Sequence, residues 1–84
     1  MDVHERARKA KALLEDDTFQ AVLDDLATGL ISQWRGTASG SALLREQIAA
    51  ELRAVDAVKA RLKGWIDEAK FETAKIERLE RRRA

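Results

Sequence analysis

Apolar residues recur at three- and four-residue steps on both sides of one short polar segment, Gly36-Thr37-Ala38-Ser39-Gly40-Ser41. Such steps place side chains on one face of an α-helix. A glycine that can end one helix, followed by a serine that can cap the next, is typical of a turn between helices. The chain has no proline and only 4 glycines, so nothing else breaks the pattern as clearly. The spacing therefore predicts two helical arms folded back on each other at residues 36–41.

The arm before the turn is predicted to contain two helices. The second covers about residues 18–35, and Asp17 is placed to cap it, with Gln20 at the spacing of a capping box. A first helix of about residues 3–15 then ends or kinks just before Asp17. The apolar stripe of the second helix consists of Phe19, Val22, Leu23, Leu26, Leu30 and Trp34.

The arm after the turn is predicted to form one long helix of about residues 42–80, in which Gly64 is the residue with the lowest helix propensity. Folding the chain at the turn aligns apolar residues of the two arms, for example Leu30 with Ile48 and Leu23 with Val55. The predicted fold class is all-α. It is an antiparallel helical hairpin with a long C-terminal helix and a kinked or separate short N-terminal helix, forming one domain over residues 1–84.

A chain of 84 residues without cysteine builds only a thin core and has no disulfide to reinforce it. Packing against further copies or another protein is the simplest source of the missing stability, so we expect an oligomer. The N-terminus is charged and lacks the apolar region of a secretion signal, and no apolar run is long enough to span a membrane. We therefore expect no membrane partner.

The sequence offers little for catalysis. His4 is the only histidine and lies near the N-terminus, and adjacent carboxylates such as Asp24 and Asp25 point about 100° apart on a helix. No calcium loop, phosphate-binding glycine loop, zinc-ligand spacing or nucleophile elbow occurs. We expect a protein that is not an enzyme, with no catalytic residue, cofactor, metal or small-molecule substrate.

Some apolar residues widen the helical stripes beyond what one facing helix covers. Trp34, at the turn, is predicted to close the end of the core over Leu44. The surplus positions are predicted to form an oligomer or partner surface, with aromatic residues as anchors. They are Ile31, Leu43, Val58, Trp65, Phe71 and Leu79.

Charge is separated along the hairpin although the net charge is only +1. Residues 1–12 hold four basic and two acidic side chains, residues 69–84 hold six and three, and residues 13–68 hold six and ten. The hairpin brings both basic ends together in a tip suited to phosphates or an acidic partner, or simply to solvent. No aromatic residue is expected among these charges, which disfavours base stacking. The basic residues are Arg6, Arg8, Lys9, Lys11, Lys75, Arg78, Arg81, Arg82 and Arg83.

Three segments carry a resemblance: Ala-Lys-Ala-Leu-Leu-Glu-Asp-Asp-Thr-Phe at residues 10–19, Gln33-Trp34-Arg35-Gly36-Thr37, and the stretch from Leu62 that ends in Ile-Asp-Glu-Ala-Lys-Phe at Phe71. The chain resembles small helical-hairpin proteins of tailed bacteriophages and prophages that are encoded among head and DNA-packaging genes. The resemblance implies a virion or morphogenesis protein that acts through protein contacts in the head, neck or packaging apparatus. It implies no catalytic residue.

Self-assembly or contact with phage structural proteins, in the virion or the host cytoplasm, is thus the leading expectation. The alternative is a nucleic-acid-associated packaging factor, similar to a small terminase subunit, that uses the basic tip. Such subunits have a separate N-terminal DNA-binding domain, for which this chain has no room. An antitoxin-like or regulatory helical adaptor is a third reading that the sequence leaves open.

Overall fold

The structure is a computed structural model that describes residues 1–83. It contains three helices, α1 (Val3–Glu15), α2 (Asp17–Arg35) and α3 (Ala42–Arg83), and no strand within the described residues. The predicted all-α fold class is confirmed. The short N-terminal helix is separate from the second one, and α3 runs without a break through Gly64 and beyond the predicted end at residue 80.

A single residue, Asp16, separates α1 from α2. Its extended backbone (φ −75°, ψ 121°) ends α1, and its carboxylate accepts a 2.8 Å hydrogen bond from the Phe19 N–H at the start of α2. The prediction that Asp17 caps α2 is therefore wrong by one residue, because Asp17 is already helical. Gln20 is not part of a capping box either, since its amide donates to the Leu14 carbonyl.

Asp2 caps α1 in the same way that Asp16 caps α2. Its carboxylate accepts a 2.7 Å hydrogen bond from the Glu5 N–H. This backbone hydrogen bond favours the charged carboxylate and lowers the pKa of Asp2 below its usual value. This cap was not predicted from the sequence.

Both short helices pack on α3, which forms the other half of the hairpin. The buried positions of α3, Ile48, Leu62 and Ala69, are separated by whole heptads, and the half-buried Val55 fills the missing step. A seven-residue repeat keeps one seam of a long helix facing its partners. Within residues 1–83 the buried core contains seven side chains: Ala7, Ala10, Leu23, Leu30, Ile48, Leu62 and Ala69.

The molecule measures 66 × 26 × 17 Å, and its radius of gyration is 18.9 Å. A compact domain of this length has a radius of gyration of about 12 Å. At about 1.5 Å per residue, α3 alone rises about 63 Å, which is close to the full length of the molecule. The fold is therefore one thin layer of helices along α3.

The alignment of α2 with α3 differs from the predicted one by about one helical turn. In the predicted alignment Leu23 faces Val55, so Asp24 faces Ala54. In the structure the Asp24 carboxylate lies 3.7 Å from the Lys59 ammonium group, about one turn further along α3. One cause lies at Gly36, whose backbone is still helical (φ −81°, ψ −6°). The chain therefore changes direction after Gly36, later than a turn spread evenly over residues 36–41 would place it.

Candidate protein-binding surfaces

The predicted interface residues are exposed to different degrees. Leu43 is 81% exposed, Phe71 is 62% exposed and Val58 is 43% exposed; Ile31 and Leu79 also count among the exposed residues. Val58, Trp65 and Leu79 are separated by whole heptads, so they follow one side of α3 over about 32 Å. Phe71 is not on that line, and Ile31 belongs to α2.

Trp65 is half-buried because α1 covers it. The Arg6 guanidinium lies 4.8 Å from the centre of the indole ring, and one of its nitrogens is 2.6 Å from a Glu68 carboxylate oxygen. Trp65 and Arg6, predicted for two separate surfaces, thus meet in one cluster that fastens α1 to α3. The Arg6 Nε is buried without a hydrogen-bond partner in the described residues, which offsets part of this stabilisation.

A second cluster of the same kind closes the hairpin turn. Arg45, rather than the predicted Leu44, lies over Trp34, with its guanidinium 4.6 Å from the ring centre. Arg45 also donates a 2.6 Å hydrogen bond to the Thr37 hydroxyl, which in turn donates to the Trp34 carbonyl at 2.7 Å. Leu44 remains half-exposed. An arginine one turn into α3 was a signal for this contact, because only a long cation reaches back over a ring at the turn.

Most of the predicted basic residues have no carboxylate close to them. Arg6 pairs with Glu68, and Lys9 lies 3.3 Å from Glu5 one turn earlier on α1. Within residues 1–83 the remaining seven form no ion pair within 4.0 Å, and all seven are exposed. They are Arg8, Lys11, Lys75, Arg78, Arg81, Arg82 and Arg83.

One aromatic residue does lie among the cations, contrary to the sequence-based expectation. Phe71 borders a shallow depression on α3 together with Lys75, Arg78, Leu79 and Arg82. All of these positions except Leu79 follow each other at three- and four-residue steps, and Leu79 lies four residues after Lys75, so the five share one broad face of the helix. Phe71 lies within residues 69–84, one of the two basic ends, so the sequence already contained this signal and the expectation of no aromatic residue there was wrong.

A groove between α1 and α3, which we name the basic groove, has an apolar floor and a cationic rim. Its volume is about 490 Å³. Ala7, Ile66, Ala69 and Ala74 contribute to the floor. The rim consists of His4, Arg8, Lys11, Lys70, Thr73 and a single carboxylate, Glu77.

A second groove, between α2 and α3, has a similar floor and the opposite charge; we name it the acidic groove. Its volume is about 470 Å³. The carboxylates Asp25 and Glu51 line it, and no cation does. The other lining residues are Leu26, Gly29, Leu30, Gln33, Ala54 and Val55. Both grooves are open troughs along helices, which suits a helical partner better than a small molecule.

Within residues 1–83 no three His, Cys, Asp or Glu side chains are grouped so that they could hold a metal ion. No described helix combines the length and the apolar character that a membrane crossing requires. His4 lies on the rim of the basic groove. The expectation that the chain is not an enzyme stays a prediction.

We compared the chain with family models, with curated proteins and with solved structures, and none of the three comparisons gives a match.

Proposed function

We propose that this chain is an assembly protein that binds further copies of itself and other structural proteins through its exposed apolar side chains. The observation that carries the proposal is the imbalance between core and surface. Within residues 1–83 the buried core has seven side chains, three of them alanines, whereas twelve large apolar side chains are exposed. Monomeric soluble proteins expose single apolar residues but rarely so many in proportion to their core.

The energetics favour association. Complete burial of a large aliphatic side chain is worth about 1.5–3 kcal/mol, so covering one that is half-exposed gains roughly 1 kcal/mol. Several such residues must be covered together to offset the entropy lost when two chains associate. Several such residues are available. They are Val58, Trp65 and Leu79 along one line of α3, and the half-exposed Val22 and Leu26 of α2.

The resemblance to phage and prophage proteins suggests where this assembly takes place. In the proposal the partners are copies of the chain and head, neck or packaging proteins, in the virion or in the host cytoplasm. The role is structural rather than enzymatic. Support comes from the sequence resemblance and from the two apolar grooves, whose shape suits partner helices.

Substitution of Val58 by glutamate tests the proposal. Val58→Glu places a charge on the exposed line without removing a core side chain, so helicity is expected to stay unchanged while the oligomer dissociates at least tenfold more readily. Ala60→Glu is the matched control, since it adds the same charge to an exposed position on another face of the same helix. Light scattering measures both. If both variants lose assembly equally, or if neither loses it, the proposal is contradicted.

Nucleic-acid binding is the second candidate, and the depression around Phe71 favours it. An exposed aromatic ring beside Lys75, Arg78 and Arg82 offers both stacking and phosphate contacts. The exposed cations at residues 81–83 extend the same end of α3. In this reading the chain is a packaging factor that holds nucleic acid at one end.

The two candidates differ in how they respond to salt. Binding of single-stranded or duplex DNA at the tip is expected to weaken steeply as salt rises, and to weaken further when Arg81, Arg82 and Arg83 are replaced by alanine. Phe71→Ala is expected to reduce single-strand binding selectively. A fluorescence anisotropy titration measures this. Absence of binding to either form at low salt removes this candidate.

A further inference from the structure

The basic and acidic grooves are similar in size and opposite in charge. Residues 4–11 of α1 line the basic groove, and residues 25–33 of α2 line the acidic groove. Each of these stretches is about 11–12 Å long. Both floors are apolar. The basic groove has three cations, Arg8, Lys11 and Lys70, and one carboxylate, Glu77. The acidic groove has two carboxylates, Asp25 and Glu51, and no cation among its lining residues.

These charges are not used within the chain. Among residues 1–83 none of the five forms an ion pair within 4.0 Å, although other carboxylates and cations of the same helices do. All five are exposed. They remain free to face charges of another molecule.

The grooves lie on opposite sides of the hairpin. On α3, Lys70 of the basic groove follows the buried Ala69 by one residue, whereas Ala54 of the acidic groove precedes the half-buried Val55 by one residue. Ala69 and Val55 occupy the same seam, and one residue turns a helix by about 100°. One groove therefore opens to the left of the seam and the other to the right.

We propose, on the basis of the function proposed above, that copies of this chain associate head to tail, with the basic groove of one copy against the acidic groove of the next. Val22 and Leu26, one turn apart and each 51% exposed, form a ridge on α2, and Leu26 also lines the acidic groove. This ridge enters the alanine-floored basic groove of the neighbour, where small side chains allow close approach. In return, Arg8 and Lys11 of the neighbour's α1 reach Asp25 and Glu51.

This pairing cannot close as a two-fold dimer. A two-fold axis brings the same surface of both copies together, whereas the two grooves face opposite ways on each copy. Every pair therefore leaves one basic and one acidic groove unoccupied, and growth continues into a ring or a filament. The charges select the neighbour and its orientation, and the apolar floors contribute most of the affinity.

A charge-swap experiment tests the pairing. One variant, Lys11→Glu/Lys70→Glu, makes the basic groove acidic, and the other, Asp25→Lys/Glu51→Lys, makes the acidic groove basic. Each alone sets like charges against each other and is expected to weaken association roughly tenfold or more. An equal mixture is expected to assemble again, because every groove then finds one of opposite charge. Sedimentation of the wild type, each variant and the mixture provides the measurement.

The outcomes separate this pairing from the function on which it rests. If the wild type and both charge-swap variants assemble equally well, the pairing is overturned and the proposed assembly function still holds. Variants that lose assembly and do not regain it on mixing also overturn the pairing. A wild type that stays monomeric overturns both. If a double variant loses helicity by circular dichroism, Lys70→Gln and Glu51→Gln replace it, and each is expected to weaken association to a smaller degree.

Discussion

Two arginine residues connect the two arms of the hairpin, a role that buried apolar contacts have in a larger core. Arg6 lies over Trp65 and pairs with Glu68, and Arg45 lies over Trp34 and bonds to Thr37. In each case the cation comes from one arm of the hairpin and the ring from the other. The stems of the arginines cover apolar surface while their charged ends reach a partner. These clusters hold the two ends of a fold whose core is thin.

Arg6→Ala is expected to lower the free energy of unfolding by about 1 kcal/mol. It removes a partly exposed cation–π contact and a partly exposed ion pair, each worth up to about 1 kcal/mol, and the loss of the unpaired buried Nε offsets part of that. Arg8→Ala serves as the control, since Arg8 has neither contact in the described residues. Urea unfolding followed by circular dichroism measures both. Equal destabilisation by the two substitutions contradicts the role assigned to the Arg6 cluster.

Asp16 defines the molecule at the scale of helices. Its backbone N–H donates to the Leu13 carbonyl as the C-cap of α1, and its carboxylate accepts from the Phe19 N–H as the N-cap of α2, so one residue sets where the two helices meet. Asp17 follows it with the same side chain but sits inside α2. The two residues differ in backbone conformation and not in chemistry.

The pair Asp16→Ala and Asp17→Ala tests this assignment. Removal of an N-cap carboxylate typically costs about 1 kcal/mol, whereas a carboxylate in the first helical turn contributes only through the helix dipole, about 0.3–1 kcal/mol when exposed. Asp16→Ala is therefore expected to destabilise the fold more than Asp17→Ala, as measured by the thermal midpoint. The reverse order would restore the cap predicted from sequence.

The sequence predicted the helices well because their apolar spacing and the polar turn are local signals. It placed the cap one residue late because two adjacent aspartates satisfy the same capping rule, and only the backbone distinguishes them. It missed the Arg6 and Arg45 clusters and the one-turn shift of α2, since these depend on how two helices are aligned across the hairpin. Of the candidate surfaces, the exposed residues Leu43, Val58 and Leu79 were predictable from excess apolar width. The paired grooves were not, because each needs two helices to form it.

The whole molecule is a 66 Å hairpin with more large apolar side chains on its surface than in its core. Two of its grooves are similar in volume and lined by charges of opposite sign. In the proposed assembly, a neighbouring copy covers each groove. Self-assembly driven by apolar burial and directed by charge is the proposed function.

Light scattering measures the solution mass of the wild-type chain over a range of concentrations, at about 0.1 M and about 1 M salt, and shows whether copies associate in this way. Charges on exposed rims are screened at the higher salt, whereas apolar burial is not. We predict a mass above that of a dimer at the lower salt, and a weakened but persistent oligomer at the higher salt. A mass equal to the monomer at every concentration in both salts would contradict the claim.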